Sequence, residues 1–208
     1  MSAVKLSALL IAVGALSGCA GMSEQACLSA DWRTVGFEDG SLGRSVSTIG
    51  TYRQQCAEHG VAPSLDAYRE GHDEGVKIYC RESNGFEVGH SGAAYQGVCP
   101  ANSEADFVAA YNSGRHLYEL EAALGSIDNR ISSDHYEQQR IKQEITEIAA
   151  SMVAADTTPE QRVRLVTRSA ELGRRYGELN AEIDALGRDR VGRERDLFDY
   201  QQALTAGN

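Results

Sequence analysis

The second half of the chain carries the clearest hydrophobic pattern. Leu117, Leu120, Leu124, Ile127, Ile131, Asp134, Gln138, Ile141, Ile145, Ile148 and Met152 recur alternately three and four residues apart. That spacing keeps them on one stripe of a helix and predicts a heptad seam. A second seam runs through Leu165, Ser169, Leu172, Tyr176, Leu179, Ile183, Leu186, Arg190, Arg193, Leu197, Tyr200 and Leu204. Between them stands Asp156-Thr-Thr-Pro-Glu-Gln161. Thr158 fits a helix N-cap, Pro159 the first helical position and Gln161 the capping-box partner. A link this short makes the two helices antiparallel neighbours. The expectation is a coiled-coil-like hairpin over 117–205, turning near 155–158, with helices of about 55 to 65 Å each. With the turn at Thr157 and Thr158, Asp134 and Gln138 lie level with Arg175 to Leu179. A buried carboxylate without a partner is costly, so Arg175 or the Tyr176 hydroxyl is expected to approach one of them. Gly173, Gly177, Gly187 and Gly192 should weaken the second helix, or let it bend or pack closely. Two helices cover only part of each other's apolar stripe. A third helix from the first half, or a second copy of the chain in a homodimer, is expected to complete the packing.

Before residue 118 the grammar differs. An aromatic residue repeatedly stands three or four positions from glycines spaced by three or four: Trp32 with Gly36, Gly40 and Gly43; Tyr68 with Gly71 and Gly75; Phe86 with Gly89 and Gly92; Tyr111 with Gly114. Such positions share one helix face. Each glycine costs a helix up to about 1 kcal/mol relative to alanine. The repeated cost predicts close helix-on-helix packing, and none of these glycines forms a phosphate loop. Asn84-Gly85 and Cys99-Pro100 read as turns, and Ser64 after Pro63 as an N-cap. Residues 19–116 are therefore expected to form a small helical domain rich in cysteine, glycine and aromatics, so the chain as a whole is mainly α.

The start of the chain changes where this domain is expected to reside. Lys5 precedes an apolar run from Leu6 to Leu16, too short to span a bilayer, which takes about 20 residues. Leu16-Ser17-Gly18-Cys19 matches a lipobox. Residues 1–18 thus read as a lipoprotein signal peptide, and Cys19 as the residue to be lipidated, with palmitate among its acyl chains. The membrane would be a partner through that lipid. Ala20 in place of an aspartate points to the outer membrane, facing the periplasm.

Cys27, Cys56, Cys80 and Cys99 remain. Four cysteines in an exported chain argue for two disulfides. A helix from Ser64 to Cys80 would carry Cys80 some 24 Å from its start, away from Cys56. That favours Cys80–Cys99, closing a loop at Asn84-Gly85, and leaves Cys27–Cys56. Acidic residues outnumber basic ones 30 to 20, and no basic patch interleaves with aromatics, which speaks against nucleic acid as a partner.

The lipobox followed by Cys27-Leu-Ser-Ala-Asp-Trp32-Arg-Thr-Val-Gly-Phe-Glu-Asp-Gly40, Tyr52-Arg-Gln-Gln-Cys56, Ala67-Tyr-Arg-Glu-Gly-His-Asp-Glu-Gly75, Tyr79-Cys80, Asn84-Gly-Phe86, Gly89, Gly92 and Tyr95-Gln-Gly-Val-Cys-Pro100 resembles the DUF2799 family of proteobacterial lipoproteins of unknown function. The resemblance covers about residues 19–125. It implies a helical envelope lipoprotein and brings no activity or catalytic residue with it.

Candidate chemistry is sparse. His72, His90 and His116 follow glycines closely, and Asp73 and Glu74 sit beside the first. No metal-ligand spacing on one helix joins them, so no metal or other cofactor is expected. Glu70, Asp73 and Glu74 read as a solvated helix face, and there is no nucleophile elbow. The sequence points to a tethered envelope lipoprotein with a structural or protein-interaction role, meeting an envelope protein through its hairpin. The alternative is an envelope enzyme or small-ligand or metal binder using a groove in the cysteine-rich domain.

Overall fold

The computed structural model describes residues 22–206, and all regular structure among them is helical: α1 (Glu24–Ser29), α2 (Trp32–Ser41), a 3-10 turn (Val46–Thr48), α3 (Ile49–Ala57), α4 (Leu65–Tyr79), α5 (Glu82–His90), α6 (Ala101–Val153) and α7 (Pro159–Ala206). The described residues divide into two compact units, with the boundary between Ile78 and Tyr79. The change of composition near residue 118 falls inside α6, which runs on without a break.

In the first unit, Asp31 caps α2 by accepting from the Arg33 amide. Ser64 caps α4 by accepting weakly from the Ala67 amide. The Cys27–Cys56 disulfide lies in a core with Trp32, Ile49 and Tyr68. Helices α2 and α4 cross through glycine on both sides. A Cβ on Gly36 or Gly40 would stand 2.0 or 2.3 Å from the carbonyl oxygen of Tyr68 or His72, and one on Gly71 or Gly75 would meet those of Arg33 or Phe37. These are backbone contacts, so only hydrogen fits.

The second unit makes the same crossing with α5 and α6. Gly85 lies against the Phe107 carbonyl, Gly89 against that of Tyr111, and Gly114 against that of Phe86. The two crossings correspond position by position, with 36–44 matching 85–93 and 68–78 matching 107–117. Gly43 and Gly92 both take positive φ just beyond their helices. His72 bonds the Arg44 carbonyl where the Tyr111 hydroxyl bonds the Ala93 carbonyl. Tyr68 stacks on His72 as Phe107 stacks on Tyr111. In each unit a disulfide ties the segment before the first crossing helix to the connection that leads to the second, Cys27–Cys56 in one and Cys80–Cys99 in the other. The loose periodicity of the sequence is thus two versions of one helix-crossing module. Asn84-Gly85 is not a turn: it lies within α5, and Gly85 is there because a carbonyl leaves no room for a Cβ.

The hairpin forms within the second unit. Thr158 and Gln161 cap α7 reciprocally, the Thr158 backbone amide donating to the Gln161 side-chain oxygen Oε1 and the Gln161 backbone amide to the Thr158 hydroxyl. Both helices exceed the expected length: 53 residues in α6 and 48 in α7, about 80 and 70 Å. The excess in α6 arises because one helix serves both the glycine crossing and the hairpin. Every predicted seam position of α6 is buried or half-buried, as is every one of α7 except Arg193. Ile141, Ile148, Leu172 and Leu179 form the hairpin core. The four glycines of α7 leave its helix continuous and have open space at their Cβ positions, so they mark no close approach.

Candidate functional site

Two arrangements hold the polar chemistry of the described residues. The first is a cluster inside the first unit. Asp39 sits on the buried side of α2 at 2% exposure. Its carboxylate accepts from the Tyr68 hydroxyl at 2.7 Å, the Tyr52 hydroxyl at 3.2 Å and the Arg44 guanidinium at 2.8 Å. Burial, and then the bond to Asp39, push the Tyr68 hydroxyl far above the usual tyrosine range. Burial raises Tyr52 in the same direction, and the bond to Asp39 raises Arg44. All three donors therefore keep their protons. Tyr68 is fully buried, so no substrate reaches the pair, and the cluster acts as a clasp between α2, the following loop, α3 and α4.

The sequence reading missed Asp39. The signal lay in comparing Gly36-Phe-Glu-Asp-Gly40 with Gly85-Phe-Glu-Val-Gly89. The second module places Val88 where the first has Asp39, and Phe107 where the first has Tyr68. The crossing therefore forms with or without the polar pair. Asp39→Val alone should cost about 1–3 kcal/mol, because it strands a buried hydroxyl. Adding Tyr68→Phe should recover most of that loss. Denaturant unfolding of the two single variants and the double variant checks this; equal losses in Asp39→Val and the double variant would contradict the clasp.

The second arrangement is the seam of the hairpin. Along one flank, Arg130 pairs with Glu182, Glu137 with Arg175 and Glu144 with Arg168. Each step is one heptad forward on α6 and one back on α7. On the other flank Arg190 pairs with Asp128, and the Lys142 ammonium lies over the Tyr176 ring. Exposed pairs of this kind contribute roughly 0–1 kcal/mol each, so their effect is on register more than on stability. Within the seam, the Gln138 amide donates to the Asn180 side-chain oxygen at 2.7 Å. Asp134 is buried. Its Oδ1 lies 3.3 Å from Arg130 of the same helix, and its Oδ2 has no hydrogen-bond partner. The expected approach of Arg175 or Tyr176 does not occur. Arg175 stands on the flank of α7, where its guanidinium stays half in water and meets Glu137. Burying it in the seam would strip its hydration.

The three histidines are not brought together. His72 is buried in the first unit on the Arg44 carbonyl, His90 pairs with Glu121, and the His116 ring packs edge-on against Tyr200. Glu70 and Glu74 both lie near Arg33. Among the described residues no group of three or more His, Cys, Asp or Glu converges as a metal site. All four cysteines Cys27, Cys56, Cys80 and Cys99 are in disulfides, which leaves none of them a free thiol. Cys19 and the segment before it lie outside the described residues.

Residues 31–116 match the family model described as "Protein of unknown function (DUF2799)". The match spans both glycine crossings and stops where the hairpin begins. No curated protein and no solved structure matches the chain.

Proposed function

We propose that this protein is an envelope lipoprotein, tethered by lipid on Cys19, that acts through protein interaction and presents its hairpin as a rigid arm. The observation that supports this most is the heptad-stepped ion ladder of Arg130–Glu182, Glu137–Arg175 and Glu144–Arg168. Such a ladder fixes register along two helices whose apolar surface is only partly covered. Ile131, Ile183, Gly187 and Val191 line an open apolar groove on the hairpin, and Phe198 is exposed further along α7. A partner helix would bury these residues. Two disulfides suit an exported chain, and the leader and lipobox supply the tether. On this reading Cys19→Ala yields an uncleaved or soluble precursor that takes up no labelled palmitate in growing cells. Normal labelling of that variant would contradict the tether. The arm is tested by crosslinking in intact cells with and without the hairpin.

A further inference from the structure

We propose that α7 pairs antiparallel with α7 of a second copy of this chain, so that the open flank of the hairpin is a homodimer interface. The inference rests on the rigid-arm reading and specifies the helix that covers the arm's groove. The ion ladder occupies one flank of α7. Beyond the other flank a second seam runs from Val163 to Phe198 by alternate steps of three and four residues, through Val166, Gly173, Gly177, Gly187 and Val191. That spacing keeps its members on one stripe of the helix. Little of the stripe is used within the chain. Val163, Val166, Val191 and Phe198 are each more than half exposed. Nothing lies within 4 Å of the Cβ positions of Gly173, Gly177 and Gly187. Glycine lowers helix stability, and here it leaves the backbone open to a neighbour. Towards the end of α7 the stripe borders a groove of about 610 Å³ lined by Ile131, Ile183, Gly187 and Val191, together with Asp184 and Arg188.

Charge identifies the occupant. Arg168, Arg175 and Arg190 of α7 pair with acids of α6. Among the described residues no ion pair engages Arg174, Asp184 or Arg188. Arg174 and Asp184 stand at equal distances before and after Leu179. Turning a second α7 antiparallel about a two-fold axis level with Leu179 therefore sets Arg174 of each copy against Asp184 of the other. The same turn brings Arg188 near Glu171 of the second copy, whose one ion pair within the chain is a 3.8 Å contact. In a two-fold interface every such contact is made twice. In this register Val166 meets Val191 and Ala170 meets Gly187, so a methyl group comes to a position that carries only hydrogen. A parallel pair would set Asp184 against Asp184 and Arg188 against Arg188, which repel. The stripe is about 50 Å long, enough to seat roughly 20 residues a side, the scale of a stable interface.

The test is sedimentation of the purified full chain and of three charge variants. A dimer is expected, weakened about tenfold or more by Arg174→Glu and likewise by Asp184→Arg, because each change turns two attractions into two repulsions. Combining the two changes should restore the dimer, since the charges are then exchanged across the axis. Both positions are exposed, and circular dichroism confirms that the variants fold. Three outcomes overturn the proposal. The first is a monomer up to about 0.1 mM. The second is a dimer that neither single change weakens, which means that another face pairs. The third is a dimer that both single changes weaken and the combination does not restore, which means that Arg174 and Asp184 do not oppose each other. A monomer would leave the arm reading standing, because crosslinks to other proteins in intact cells decide that separately.

Discussion

Gly114→Ala is expected to destabilise the second unit by about 3 kcal/mol, although alanine is the better helix former. The added methyl would stand 2.0 Å from the Phe86 carbonyl oxygen and 2.8 Å from the His90 amide. Both are backbone atoms held within α5, so no rotamer can move them aside. The helices must separate, and the Phe107–Tyr111 stack against which α5 packs goes with them. Gly125 supplies the control on the same helix. Nothing lies within 4 Å of its Cβ position, so Gly125→Ala should raise stability by up to about 1 kcal/mol through helix propensity. Thermal unfolding followed by circular dichroism reads both. Opposite signs from the same substitution within one helix are the signature of the crossing; two small gains would mean the helices do not meet at Gly114.

Asp134→Leu is expected to raise stability, by about 1–3 kcal/mol. The carboxylate is buried in the hairpin seam with Oδ2 unpartnered, and its contact to Arg130 joins residues of the same helix. Leucine at this seam position, between Ile131 and Gln138, removes the desolvation cost. Arg130 keeps Glu182 across the hairpin, so the ladder survives the change. A polar seam residue can fix register and association state at a cost in stability. The same variant should therefore show additional association states by sedimentation. A drop in thermal stability on Asp134→Leu would mean that the carboxylate has a partner in solution.

The hairpin was legible because its signal is periodic and local. A heptad seam, a proline and a capping box each act over a few residues, and together they locate two helices and their turn. Its register was legible as well, since Glu137 beside Gln138 pairs with Arg175 at the expected level. Which side chain Arg175 meets was not, because that depends on which flank residues stay in water, and Arg175 reaches Glu137 rather than the seam. The first half was legible in kind: glycines with aromatics implied close packing, and the disulfide pairing followed from the length of α4. Asn84-Gly85 misled because glycine serves turns and helix crossings alike, and only the partner carbonyl distinguishes them. Asp39 was not legible in isolation, since an acidic residue on an amphipathic helix usually faces water. Its burial depends on Tyr52 and Tyr68, which come from two other helices and fold over it.

The account's central claim is that this protein works by contact through its arm. The most direct test is crosslinking in intact cells followed by mass spectrometry, comparing the full chain with one lacking residues 126–195. The account predicts that partner crosslinks disappear in the shortened chain while Cys27–Cys56 and Cys80–Cys99 still form and Cys19 is still labelled with palmitate. A shortened chain that retains every crosslink would contradict it and place the functional element in residues 27–118.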